Sequence, residues 1–115
     1  MKKARFVIMT VDGPRKIDGY IYQVDGFWFG FKKWGKGKDT HWTVTDLLTG
    51  SSVNGNHKFY TKKEAAEHCR TIIDDVQKMV TSGNLRVEEM KNVVEREYYN
   101  SDDAEMYRRL YGDWM

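Results

Sequence analysis

The pattern of hydrophobic and polar positions is organised around the stretch from Gly19 to Trp34, Gly-Tyr-Ile-Tyr-Gln-Val-Asp-Gly-Phe-Trp-Phe-Gly-Phe-Lys-Lys-Trp. The pattern predicts two strands joined at Asp25-Gly26, a pair suited to the positive φ angles of a two-residue hairpin turn. That turn pairs Val24 with Phe27, Tyr22 with Phe29 and Tyr20 with Phe31. Alternate side chains share a face, so these six residues form an apolar slab expected to be the core face. Ile21, Gln23, Trp28, Gly30, Lys32 and Trp34 fall on the opposite face, whose mixture of Trp and Lys makes it the face to examine for function. Upstream, Arg5 to Val11 is rich in branched residues with little polar alternation, as in a strand inside a sheet. Asp12 to Asp18, with the only proline at Pro14, reads as a turn region. Downstream, Gly35 to Thr40 is a basic loop, His41 to Leu47 alternates as a strand, and Ser51 to Asn54 predicts a short edge strand between Thr49-Gly50 and Asn54-Gly55-Asn56 turns.

At Thr61 the period changes from two to between three and four. Thr61-Lys62-Lys63-Glu64 has the spacing of a capping box, in which hydroxyl and carboxylate reciprocally satisfy free amide groups. Ala65, Ala66, Cys69, Ile72, Ile73, Val76, Met79 and Val80 then form one apolar stripe, with Gly83 beyond its end. This predicts a first helix packed on the aromatic slab. A second helix is expected from about Leu85 to Tyr99, with Val87, Met90, Val93, Val94 and Tyr98 on its apolar side. Ser101-Asp102-Asp103 would open a third, its acidic start and Arg108-Arg109 near its end both suiting the helix dipole. The expectation is therefore an α+β fold: an antiparallel meander of four or five strands, followed by two or three helices.

The 115 residues match the size of one domain. Residues 1–60 form a basic aromatic β half of net charge +5, and residues 61–115 an acidic helical half of net charge −3. Mean hydropathy is −0.73, and no apolar run approaches the roughly 18–20 residues of a membrane span. Met1-Lys2-Lys3 and the apolar run after it superficially resemble a signal sequence. Arg5 and Thr10 interrupt that run, however, and Asp12-Gly13-Pro14 follows it instead of a small-residue cleavage site. A single cysteine excludes an internal disulfide and fits a reducing, cytoplasmic setting. No membrane partner and no small-molecule substrate is expected.

Catalytic patterns are weak. His41, His57, His68 and Cys69 match no metal or nucleophile spacing, so neither a metal nor another cofactor is expected. Cys69 falls on the apolar stripe, where a free cysteine acts as a small hydrophobe. Asp74-Asp75 and Glu88-Glu89 are helix neighbours whose side chains diverge. Gly35 to Thr40 lacks the spacing of a phosphate-binding loop and precedes a strand instead of a helix. These features predict a binding protein and not an enzyme.

Two kinds of binding surface are expected. Lys32, Lys33, Lys36 and Lys38 cluster with Trp28 and Trp34, and with Trp42 beyond them. Lysines neutralise phosphates and exposed aromatics stack on bases, so the first expected partner is nucleic acid or a nucleic-acid-processing complex. Tyr107, Leu110, Tyr111 and Trp114, set among Asp102, Asp103, Glu105 and Asp113, would be anchors for a protein partner. Such a surface would suit a stoichiometric inhibitor or adaptor, for example one directed at a host-defence nuclease. The run Trp42-Thr43-Val44-Thr45, then Thr49-Gly50, then Lys58-Phe59-Tyr60-Thr61-Lys62-Lys63-Glu64-Ala65-Ala66 resembles the arm-type DNA-binding domains of tyrosine recombinases. The resemblance covers about residues 40–70 and implies a three-stranded sheet before a helix, with DNA as partner. No recombinase catalytic domain is expected within these 115 residues, and Ser51 to Asn56 carries no basic residue. In style it is also similar to small accessory proteins of phages and mobile elements.

Overall fold

The computed structural model describes residues 1–99. Four strands, β1 (Lys2–Thr10), β2 (Gly13–Val24), β3 (Phe27–Trp34) and β4 (His41–Asp46), form one antiparallel sheet in sequence order, so β1 is an edge strand and not, as its branched residues suggested, one inside the sheet. Two helices follow, α1 (Lys62–Val80) and α2 (Leu85–Tyr99). The fold is α+β, with α1 packed on the sheet. The expected third helix lies outside the described residues. No helix among them is long and apolar enough to cross a membrane.

The β2–β3 hairpin has the register expected from its turn: Tyr20 opposite Phe31, Tyr22 opposite Phe29 and Val24 opposite Phe27. Asp25 and Gly26 both take positive φ, 49° and 85°. The β1–β2 hairpin turns at Val11-Asp12, where the Thr10 hydroxyl donates to the Gly13 carbonyl and accepts from the Asp12 N–H. The region from Gly13 to Asp18 is thus strand and not turn. Pro14 is compatible with this because of the kind of pair it makes. Its partner is Met9, whose N–H points away from β2 and donates to the Gly50 carbonyl at 2.8 Å. In such a non-hydrogen-bonded pair the missing Pro N–H would face away from β1 as well. On that side β3 pairs only from Tyr20 onward.

The anticipated fifth strand is reduced to a single bridge, Thr45 to Ser52. The chain does return along β4, with Asp46 N–H donating to Ser51 O and Val53 N–H to Val44 O. The Asn54 side chain then replaces backbone: its Oδ1 accepts from Val44 N–H at 2.6 Å, and its amide donates to the Trp42 carbonyl. The side chain interrupts the ladder, which resumes one step on, where the Trp42 N–H donates to the Phe59 carbonyl at 2.7 Å.

Both faces of the sheet carry core. On one, Phe29, Phe31, Val44 and Trp42 lie beneath the α1 residues Ala65, Ala66, Cys69, Ile73 and Val76. Within the aromatic slab only Phe29 and Phe31 are fully buried; Tyr20, Tyr22, Val24 and Phe27 are half-buried. On the other face Phe6, Ile17 and Ile21 are buried. Gly30 provides room for the Phe6 ring, since a Cβ there would lie 2.5 Å from a ring carbon. The face opposite the slab is therefore largely core, with its Trp and Lys residues at the margins.

Candidate functional site

The β3 residues proposed from sequence do not form one surface. Alternation along β3 places Trp28, Lys32 and Trp34 on one face and Lys33 on the other. Trp28 and Trp34 are separated by six residues, roughly 20 Å along the strand. Trp28 is at the Asp25-Gly26 end, half-buried against the core, and its carbonyl accepts from Leu47 N–H. It is remote from the lysine loop. Trp34 is half-buried at the other end, where its indole N–H donates to the Thr43 hydroxyl at 2.8 Å and the Lys32 ammonium lies 5.7 Å from its ring centroid. Lys33, Lys36 and Lys38 are exposed, the last two flanking and within the short turn Gly37–Asp39.

Tertiary structure brings further cations to this end of the sheet. Lys33 pairs across the ladder with Trp42, and Trp42 bridges to Phe59. Phe59 is flanked by the exposed residues Lys58 and Tyr60. The next residues open α1, where the Thr61 hydroxyl accepts from Glu64 N–H at 3.1 Å, one half of the expected capping box; the Glu64 carboxylate accepts from the Thr61 hydroxyl at 3.3 Å and not from the Thr61 N–H. The Lys62 ammonium lies 3.8 Å from the Tyr20 ring centroid and 5.5 Å from that of Trp42. Between positions 32 and 63 the chain carries seven lysines and two aspartates. Asp46 is fully buried, leaving Asp39 as the one exposed carboxylate in that span. Among the described residues none of these lysines pairs with a carboxylate; ion pairs join Arg5 to Asp18 and Lys91 to Glu88.

Sequence reasoning did not include Lys58, Tyr60, Lys62 or Lys63 in the site. Lys62-Lys63 was legible as part of a helix start, but nothing local indicates that this start lies beside Trp42. Tyr107, Leu110, Tyr111 and Trp114 lie outside the described residues.

Cys69 and His68 are both held within the fold. Cys69 is buried on α1, and desolvation pushes its thiol up to about 12, leaving no thiolate at neutral pH. His68 Nε2 is 2.8 Å from the Val53 carbonyl, and His57 and Phe59 lie against its ring. Among the described residues no three His, Cys, Asp or Glu side chains stand together as a metal site. Comparison of the chain with models of known families, with curated proteins and with solved structures finds no match.

Proposed function

We propose that this protein is a non-enzymatic nucleic-acid-binding module that grips the phosphate backbone at the end of the sheet where β3, β4 and the start of α1 meet. The observation that carries this reading is that seven lysines, on both faces of that end of the sheet, have no carboxylate partner among the described residues. Uncompensated positive charge on a rigid strand-and-helix frame favours a polyanion, whose bound counterions are released on contact. Lys33, Lys36, Lys38, Lys58, Lys62 and Lys63 would contact phosphates. Tyr60, an exposed aromatic, and Trp34, beside Lys32, would meet bases. The segment that resembles arm-type DNA-binding domains, about residues 40–70, contributes Lys58, Lys62 and Lys63 to the same surface. Trp28 is left out of the proposed site because of its distance along β3.

Fluorescence anisotropy with single- and double-stranded oligonucleotides tests the proposal. Affinity should fall with salt at a slope of about −0.7 to −0.9 per phosphate contact. Lys36→Ala with Lys38→Ala should weaken binding on every sequence and flatten the slope by about two units. Lys62→Ala should do the same by about one. A folded protein that binds neither strand form at low salt would refute the proposal.

A further inference from the structure

Beside the lysines lies a cleft of about 200 Å³ between β1 and β4. Its lining includes the apolar side chains of Ile8, Met9 and Ile17, the Trp34 ring, and the hydroxyl-bearing residues Thr43 and Thr45. Thr45 is only 5% exposed, yet its hydroxyl has no hydrogen-bond partner among the described residues. A buried hydroxyl without a partner is costly, and native structures seldom retain one without a reason. Thr43 differs, because its oxygen accepts the Trp34 indole N–H and so holds that ring in place. The cleft thus offers a fixed aromatic ring, the apolar side chains of Ile8, Met9 and Ile17, and one uncommitted hydroxyl that can donate or accept. Its volume falls below the roughly 300–1,000 Å³ of pockets for whole drug-sized ligands. It is matched to one planar ring.

Charge selects which ring. The Lys32 ammonium lies 5.7 Å from the Trp34 centroid, and the loop carrying Lys36 and Lys38 leaves directly from Trp34. We infer that the cleft seats one nucleobase of a single strand whose phosphates lie on the lysines, with Thr45 hydrogen-bonding the base edge. The inference rests on the phosphate-binding reading above. A duplex would not supply the base without unpairing it, so single strands are the preferred ligand.

The test uses two oligonucleotides of equal length, one carrying bases throughout and one built wholly of abasic sugar-phosphate units, each titrated at low salt. The base-bearing strand should bind about tenfold tighter, as expected for one stacked base. Thr45→Val, which preserves side-chain shape, should shrink that ratio severalfold while leaving affinity for the abasic strand unchanged. Equal affinity of the wild-type protein for both strands would overturn the cleft assignment and leave phosphate binding intact. An unchanged ratio in Thr45→Val would overturn it too. Binding of neither strand would refute phosphate binding and this inference together. If Thr45→Val folds poorly, the Trp34 indole N–H resonance decides: it should move with the base-bearing strand only, and equal movement with the abasic strand would overturn the assignment.

Discussion

Asp46 shows how one residue can serve the fold at an electrostatic cost. Its carboxylate, fully buried at the end of β4, accepts from the Thr49 hydroxyl at 2.7 Å and from the N–H groups of Leu48 and Thr49. These bonds turn the chain back toward Gly50. Burial nevertheless raises its pKa above the ordinary 3.8, with the hydrogen bonds and the nearby Lys91 only partly opposing. A raised value means that the folded state binds the proton before the unfolded state does. Its contribution to stability therefore grows as pH falls through the raised value toward 3.8, and is lost as pH rises through that window. Denaturation of the wild-type protein and Asp46→Asn, compared from about pH 7 down to about pH 4, should show the difference moving in favour of the wild type on acidification. A pH-independent difference would contradict this. The sequence marked Thr49-Gly50 as a turn, but no local pattern distinguishes a buried aspartate from the exposed ones.

The β2–β3 hairpin shows what was legible in an element and what was not. Its register followed from Asp25-Gly26 and alternation alone, because a two-residue turn leaves one way to pair the flanking residues. Which of its aromatics are deeply buried did not follow. The sheet bears core on both sides, and Gly30, unremarkable in sequence, is the gap filled by Phe6. Gly30→Ala should destabilise by about 1–3 kcal/mol or more through overpacking, and Phe29→Ala by about 3–5 kcal/mol through the cavity it leaves. Trp28→Ala, at a half-buried site, should cost less than Phe29→Ala. Thermal melts of the three variants check the ordering, and a neutral Gly30→Ala would show that Phe6 does not occupy that space. Helix α1 was the element most legible, since both its cap and its stripe are local signals.

At the scale of the molecule, the outer edge of β1 is closed by elements distant in sequence. The Val7 N–H donates to the Tyr98 hydroxyl of α2 at 3.0 Å, across 91 positions, and the Met9 N–H donates to the Gly50 carbonyl. Such contacts satisfy donors that would otherwise leave part of an open sheet edge. Tyr98→Phe should leave the buried Val7 amide unsatisfied and cost about 1–3 kcal/mol. Hydrogen exchange at Val7 should accelerate more than at Ala65 on α1. Equal protection of Val7 in both proteins would show that the hydroxyl does not guard this edge.

Neighbours along the chain settle the β2–β3 hairpin register, the helix cap, the apolar stripe, the meander and the α+β class. Chain-local periodicity and turn chemistry suffice for these. Long-range packing settles which faces are covered, that Ser51 to Asn54 yields its ladder to an Asn side chain, and that Lys58, Lys62 and Lys63 come to the same end of the sheet as the β3 loop lysines while Trp28 does not. Those outcomes turn on contacts between residues far apart in sequence. Their separation in space is set by how the sheet and α1 pack, and no local pattern encodes it.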